Sequence, residues 1–179
     1  MAGPSGLGSA PVVAGHSDGP AAVVSAWLDA FARGDANGMA ACYAREARFS
    51  DPVFVDLRGP VVGDMWRMLL SSATVQVRTL ATGSDGEEAW ATWEASYVFG
   101  KSGRAVRNVV SSRFHIRAGL IVEQRDRFPF WRWSRQALGF RGLILGWTPL
   151  VRNAVRRQAR RRLDAWRSSH ASAKAALAA

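Results

Sequence analysis

The chain has 179 residues, of which 48% are hydrophobic, and it carries a formal net charge of +10. This length suits one globular domain with an extension, and the apolar fraction is enough to build a core. Cys42 is the only cysteine, which excludes an internal disulfide framework and favours a reducing, cytoplasmic compartment. The three histidines have no metal-ligand spacing with carboxylates or with Cys42, and neither a metal nor another cofactor is expected.

The positive charge is concentrated at the C-terminus. Residues 1–131 carry equal numbers of basic and acidic side chains, whereas residues 132–179 hold ten arginines and Lys174 against Asp164 alone. The body and the tail therefore have different electrostatic partners. The body by itself is not expected to bind nucleic acid.

Three helices are predicted in the N-terminal half. Pro20 lies in the first turn of a helix that Asp18 can cap, and Asp35 can cap a second short helix that continues through Tyr43. Pro60 begins a third helix, whose buried stripe recurs every three to four residues.

From residue 74 onward the apolar residues alternate with polar ones. This period of two predicts long strands at residues 75–82, 88–99, 105–117 and 120–131, with a tight turn at Ala118-Gly119. One earlier strand is predicted in the sequence ARFSDPVFV. Three helices followed by an antiparallel meander indicate an α+β fold, in which a curved, cone-shaped antiparallel sheet wraps around the N-terminal helices.

Asp51 is the most unusual residue of the early strand. Strict alternation would place its carboxylate on the buried face with Phe49, Val53 and Val55. A carboxylate in apolar surroundings is poorly solvated, so its pKa rises towards the range in which it exchanges protons near neutral pH. The alternative is that Asp51 accepts backbone hydrogen bonds in a turn before Pro52.

The sequence WLDAFARGDANGMAACYAREARFSDPVF, residues 27–54, resembles the opening of the nuclear transport factor 2-like, or SnoaL-like, superfamily. This superfamily includes ketosteroid isomerases, limonene epoxide hydrolases and polyketide cyclases. The resemblance covers about residues 20–130 and implies a deep, mostly apolar pocket for a hydrophobic small molecule, and a homodimer formed through the outer face of the sheet. The predicted segments are a disordered leader (1–19), the SnoaL-like domain (20–130), an apolar and basic helical extension (131–168) and a disordered tail (169–179).

In the ketosteroid isomerases, the residue in the matching Asp-Pro position is the general base, and the resemblance gives Asp51 that role. The tyrosine that stabilises the oxyanion corresponds to Trp27, and the assisting protonated aspartic acid corresponds to a position near Ser111. Since these donors are replaced, steroid isomerisation is not expected.

The sequence GLIVEQRDRF resembles the last strand of the limonene epoxide hydrolases, and Asp126 occupies the place of their catalytic acid. The arginine and second aspartate of those enzymes fall near Trp93 and Ala95, so Asp51 would have to replace the missing base. With a turn at residues 118–119, Ser111 would pair with Asp126, and Arg113 would face the same side. The predicted substrate-binding residues are Trp27, Phe31, Phe49, Met65, Trp93, Tyr97, Ser111, Arg113 and Phe128.

Two interpretations of this pocket remain open. Asp51 as base and Asp126 as acid would make an enzyme that acts on a polyketide, terpenoid or lipid without a cofactor. Alternatively, Arg113 and Asp126 form an internal ion pair, and the protein is a non-catalytic ligand-binding or scaffold module.

The basic extension, residues 131–168, includes a predicted helix at residues 149–168. This helix could lie on an anionic membrane as a peripheral contact, or pack on the body or on a second subunit with its arginines in solvent. Binding to nucleic acid through phosphates is the least favoured interpretation. Residues 143–147 are apolar but too few to span a bilayer.

Overall fold

The computed structural model describes residues 19–100, 102–139 and 148–177, with side chains described as far as residue 171. The predicted leader through Asp18 and the apolar segment 140–147 lie outside these residues. The elements are α1 (Pro20–Ala32), α2 (Ala36–Ala41), β1 (Tyr43–Ser50), β2 (Leu57–Arg58), α3 (Pro60–Ser72), β3 (Gln76–Asp85), β4 (Glu88–Phe99), β5 (Arg104–Arg117), β6 (Leu120–Arg127), α4 (Phe130–Leu138) and α5 (Pro149–Leu177). The predicted α+β class is confirmed.

The N-terminal helices lie where the sequence predicts them, except at the end of α2. Asp35 caps α2, and its side chain accepts a hydrogen bond from a backbone N–H three residues later at 2.8 Å. The helix ends at Ala41 and Tyr43 begins β1, so the prediction that this helix continues through Tyr43 is wrong. The carbonyl of Cys42 accepts a hydrogen bond from the N–H of Ile121 in β6, which draws the chain into the sheet.

The six strands form one curved sheet in the order β2-β1-β6-β5-β4-β3. The predicted meander of β3 to β6 is confirmed, except that its last strand ends at Arg127 and residues 130–131 begin α4 instead of completing the strand. Every pair in the sheet is antiparallel except β1 with β6. Helices α1 and α3 contact the sheet and cover its inner face with the main hydrophobic core.

A β-bulge in β6 sets the register of the last hairpin. The turn has positive φ at both Ala118 and Gly119, as a tight two-residue turn requires. Next to the turn Ile116 pairs with Ile121, but the following pair is His115 with Glu123. One extra residue in β6 therefore displaces the rest of the pairing by one position.

This displacement changes which residues of β5 face the core, because neighbouring residues of a strand point to opposite faces. Ser112 pairs with Asp126 and is buried, whereas Ser111 is exposed on the outer face. Arg113 pairs with Arg125 and is also exposed. The predicted inward positions of Ser111 and Arg113 are wrong, and no ion pair joins Arg113 to Asp126.

The C-terminal extension packs on the body. In α4, Phe130, Trp133 and Ala137 form a second small core with Val106 of β5. The helix α5 inserts Leu163, which is completely buried, into the main core.

Helix α5 is also held by polar contacts, since the Nε of Arg167 donates to the Asp64 carboxylate of α3 at 2.8 Å. Most of the remaining arginines of α5 are exposed, in agreement with the interpretation that the helix packs on the body. The helix continues past Ser168 to Leu177, where a disordered tail was expected.

Candidate functional site

Asp51 lies in a turn directly after β1. The strand ends at Ser50, and Val55 is 54% exposed, so the alternation predicted beyond Ser50 is wrong. The half-buried Asp51 carboxylate accepts hydrogen bonds from the backbone N–H groups of Val53, at 2.6 Å, and Phe54. This is the Asx arrangement that the sequence offered as an alternative, and it orients the carboxylate rigidly.

The pKa of Asp51 is nevertheless raised, to about 6, because burial disfavours the charged carboxylate. The hydrogen bonds from Phe54 and Val53 lower the pKa in part, and so does the nearby guanidinium of Arg156 in α5. Asp51 therefore gains and loses its proton close to neutral pH. Asp51 therefore has both properties that the sequence presented as alternatives: its carboxylate accepts backbone hydrogen bonds in a turn, and its pKa is raised.

Asp126 lies inside the cone in a chain of buried polar groups. Burial raises its pKa to about 7, against the hydrogen bonds from Ser112 and Gln124 that lower it. The Nε2 of Gln124 donates to the Asp126 carboxylate at 2.9 Å, and the Oε1 of Gln124 accepts from the hydroxyl of Tyr43. That hydroxyl in turn accepts from the Nε1 of Trp66 at 2.9 Å. The network fixes the orientation of Asp126.

The two acids are close enough to affect each other. The negative charge of Asp51 raises the pKa of Asp126, and it also raises the pKa of Tyr97, which is shifted upward mainly by burial. The hydroxyl of Tyr97 is held by a hydrogen bond from the Nε1 of Trp133 at 2.8 Å. We call Asp51, Asp126 and Tyr97 the acid cluster, because the charge of Asp51 raises the pKa of each of the other two.

Aromatic side chains fill the interior of the cone. Five of the predicted pocket residues, Trp27, Phe31, Phe49, Met65 and Trp93, are at most 4% exposed and belong to the main core. The ring of Trp27 lies 5.5 Å from that of Phe31 and 6.1 Å from that of Trp93, between ring centroids. The predicted deep pocket is therefore occupied by these side chains in this structure.

Two cavities among the described residues are open clefts at the surface. The larger has a volume of about 480 Å³. Its lining consists of Pro52, Arg127, Phe128, Pro129, Phe130, Arg152 and Arg156. We call it the C-terminal cleft, because α5 forms one wall and the residues next to Asp51 and Asp126 form the other. Phe128 is the predicted pocket residue that faces this cleft.

Sequence reasoning missed three members of the polar network, which are Tyr43, Trp66 and Ser112. Tyr43 was assigned to a helix, and Ser112 was placed on the wrong face because the bulge was not foreseen. The hydroxyl of Ser112 also accepts a hydrogen bond from the Nε1 of Trp93 at 2.8 Å. Gln124 shares a face with Asp126 by simple alternation, and that signal was available.

The described residues contain neither a group of metal ligands nor a candidate membrane-spanning helix. Within residues 19–100, 102–139 and 148–177, no three His, Cys, Asp or Glu side chains are grouped as metal ligands. None of the helices in this part of the chain is long and apolar enough to cross a membrane.

Comparison with known proteins agrees with this architecture. The sequence profile of the family described as the SnoaL-like domain matches residues 24–124, more than half of the chain. The chain belongs to the SnoaL-like family. A search of curated proteins finds no significant match to the chain.

Solved structures similar to this SnoaL-like protein share its fold at low sequence identity. An LEH-like epoxide hydrolase from M. tuberculosis is 21% identical, with a TM-score of 0.58, over 70% of this chain and 92% of the hydrolase. A proposed polyketide cyclase from a Silicibacter species is 17% identical, with a TM-score of 0.57, over 66% of this chain and 95% of that one. A hypothetical protein from Catenulispora acidiphila with a ketosteroid isomerase-like fold, in complex with trimethylamine, is 15% identical, with a TM-score of 0.59, over 71% and 97%.

All three similarities end short of the full chain, and the family profile ends at residue 124. The C-terminal cleft is formed partly by α5, which lies beyond the residues that the family profile matches. At these identities the similarity concerns the fold alone, and the chemistry of the site has to be argued from its own residues.

Proposed function

We propose that this SnoaL-like protein is a cofactor-independent acid/base enzyme acting on a hydrophobic small molecule. The observation that supports the proposal best is the pair of carboxyl groups with raised pKa values, about 6 for Asp51 and about 7 for Asp126, in one acid cluster. Two interacting acids with different pKa values suit one to accept a proton while the other donates one. Such a pair can serve isomerase, cyclase or hydrolase reactions that need one proton accepted and one donated.

The surroundings of the two acids suggest which role each has. Asp51 directly precedes Pro52, which lines the C-terminal cleft, and it is half-buried with the lower pKa, so we assign it the role of base. Asp126 is buried and retains its proton to a higher pH, so we assign it the role of acid. Gln124 and Ser112 position Asp126, and Tyr97 is a further hydroxyl group close enough to Asp51 to feel its charge.

The substrate class follows from the walls around the cluster. Phe128, Phe130 and Pro52 give the C-terminal cleft an apolar lining next to Asp51. We infer that the reacting carbon or oxygen of a polyketide, terpenoid or lipid approaches Asp51 from this side. The aromatic residues Trp27, Phe31 and Trp93 would then remain in the main core and would not line the bound substrate.

The replacement Asp51→Asn tests the catalytic role. Asn keeps an acceptor oxygen for the N–H groups of Val53 and Phe54, so the melting temperature should change little, but it cannot take up a proton. Turnover of a panel of epoxides, enones and cyclisable polyketide analogues should fall at least about 100-fold. The matched control is Asp56→Asn, an exposed aspartate on the same loop. Retained turnover in Asp51→Asn would overturn the proposal.

A second candidate is a non-catalytic ligand-binding or scaffold module. The filled interior favours it, and so does the engagement of the Asp51 carboxylate with two backbone N–H groups. Native mass spectrometry of freshly purified protein distinguishes the two. A copurified hydrophobic ligand that the protein leaves chemically unchanged on incubation supports the module, whereas conversion of that ligand supports the enzyme.

The assembly and location of the protein are part of the proposal. We infer a homodimer through the outer face of the sheet, in keeping with the fold. The cytoplasmic location predicted from the single cysteine is retained. Peripheral contact of residues 131–168 with an anionic membrane is the less favoured option, since Trp133, Leu163 and Trp166 pack against the body rather than facing outward.

A further inference from the structure

We propose that the C-terminal cleft binds an anionic amphiphile, a carboxylate or phosphate group attached to an apolar body. This inference goes beyond the proposed function, because the cleft would select such a ligand whether or not Asp51 and Asp126 are catalytic. It is carried by the combination of three arginines and an apolar floor in one cavity. Arg127 comes from the end of β6, and Arg152 and Arg156 come from α5.

The three guanidinium groups are available to an anion. In the part of the chain that the structure describes, no carboxylate forms an ion pair with Arg127, Arg152 or Arg156. Arg156 lies close enough to Asp51 to lower the pKa of that carboxyl, and one carboxylate cannot balance three guanidinium groups. The cleft therefore has a positive field that attracts and orients an oxyanion.

Two of the arginines are held in place by the body of the protein. The Nε of Arg156 donates to the carbonyl of Pro52 at 3.0 Å, and this hydrogen bond restricts the orientation of the guanidinium. The guanidinium of Arg152 lies over the ring of Phe130, 5.3 Å from its centroid. A guanidinium held in this way loses less freedom when it binds an anion, and its fork of N–H donors matches a carboxylate or a phosphate.

The remaining lining explains why the ligand should also have an apolar part. Phe128, Pro129, Phe130 and Pro52 form most of the rest of the wall. The volume of about 480 Å³ is within the usual range for small-molecule sites and far larger than an inorganic anion needs. An aliphatic or aromatic chain next to the charged group would cover this apolar surface.

The test measures binding of octanoate, octyl phosphate and 1-octanol by NMR titration of the intact protein. Shifts of the backbone amides at residues 127–130 and 152–156 report whether the ligand occupies the cleft. We expect both anions to bind there and 1-octanol to bind at least tenfold more weakly. Inorganic phosphate alone should also bind at least tenfold more weakly than octyl phosphate, because it lacks the apolar chain.

Two double variants test whether the arginines of the C-terminal cleft bind the anionic group. Arg127→Gln with Arg152→Gln should weaken octanoate binding at least tenfold, whereas Arg157→Gln with Arg161→Gln, which removes the same charge from the exposed side of α5, should change it less than twofold. If the first double variant does not fold, Arg127→Gln alone carries the comparison.

Several results would overturn the inference. These are equal losses in the two double variants, equal binding of octanoate and 1-octanol, or equal binding of inorganic and octyl phosphate. Binding only to vesicles containing phosphatidylglycerol, with no shift from the octyl ligands, would also overturn it and indicate a membrane surface. Since the readout is binding rather than turnover, such a failure is distinguishable from failure of the proposed enzyme.

Discussion

At the level of single residues, burial changes the protonation of Asp126 within the physiological pH range. Its pKa is about 7 in the folded chain, against 3.8 for a freely solvated aspartate. Between these pH values the folded state holds a proton that the unfolded state has released. The free energy of unfolding therefore falls as the pH rises from about 4 to about 7, and the stability present below pH 4 is lost above the folded pKa.

The replacement Asp126→Asn should remove most of this pH dependence. The loss in the natural chain is on the order of 4 kcal/mol for a shift of about three pKa units. Urea denaturation at pH 5 and pH 8 should detect about 3 kcal/mol of it, because the unfolded aspartate is already ionised at pH 5. Asp56→Asn is the control, because hydrogen bonding to Arg58 lowers the pKa of Asp56 and its contribution has the opposite sign. An Asp126→Asn protein as pH-dependent as the natural chain would contradict the assignment.

The tryptophans of the core make a second prediction at this level. Among the described residues, the Nε1 of Trp27 is the one buried side-chain polar atom without a hydrogen-bond partner, whereas that of Trp66 donates to Tyr43 at 2.9 Å. Both replacements by Phe leave some empty space, but only Trp66→Phe breaks a hydrogen bond. It should cost about 1 kcal/mol more than Trp27→Phe in chemical denaturation. The reverse order would show that the Trp27 N–H is satisfied in solution.

At the level of elements, α5 is a long helix that lies beyond the residues matched by the family profile and packs on the family domain. Its charge pattern alone was compatible with a membrane, a nucleic acid or the body of the protein as partner. The choice depends on a few apolar positions, since Leu163 is completely buried and Trp166 is half-buried in the main core. The helix is therefore part of the fold, and it contributes two arginines to the C-terminal cleft.

Truncation of Leu163 tests this docking. Leu163→Ala should destabilise the protein by about 3 kcal/mol and should retain a single unfolding transition. Leu150→Ala, on the same helix but 80% exposed, should change stability by less than about 0.5 kcal/mol. Equal and small effects of both substitutions would mean that α5 is undocked in solution.

At the level of the whole molecule, the outer face of the sheet is the surface on which we expect the dimer to form. Val98 of β4 and Val109 of β5 lie on this face, 55% and 38% exposed. Glu94, which pairs across from Val109, forms ion pairs with Arg78 and Arg107, so the expected interface combines apolar and charged contacts.

Sedimentation equilibrium tests the assembly. The natural chain should have twice its mass of 19.5 kDa, and Val98→Glu with Val109→Glu should sediment as a monomer, because a charge would be buried without a partner. Leu150→Glu on α5 should leave the dimer intact. A monomeric natural chain at micromolar concentration would contradict the prediction.

Sequence patterns alone predict the class of the fold, the family resemblance and the interest of Asp51 and Asp126. These properties depend on local patterns, namely helical and period-two spacing, turn residues at fixed offsets, and an acid in apolar surroundings. Such patterns do not require knowledge of which strands are neighbours. The α+β class and the order of the meander were predicted for that reason.

The side chains that hold the two acids in place became clear from the packing of distant segments. The extra residue in β6 changed the partner of Asp126 from Ser111 to Ser112, and a bulge in a strand leaves no clear mark in a single sequence. The place of Tyr43 in the polar network depended on a parallel pairing with a strand far along the chain. The filling of the cone and the C-terminal cleft depended on packing between distant segments, which alternation and charge counts do not contain.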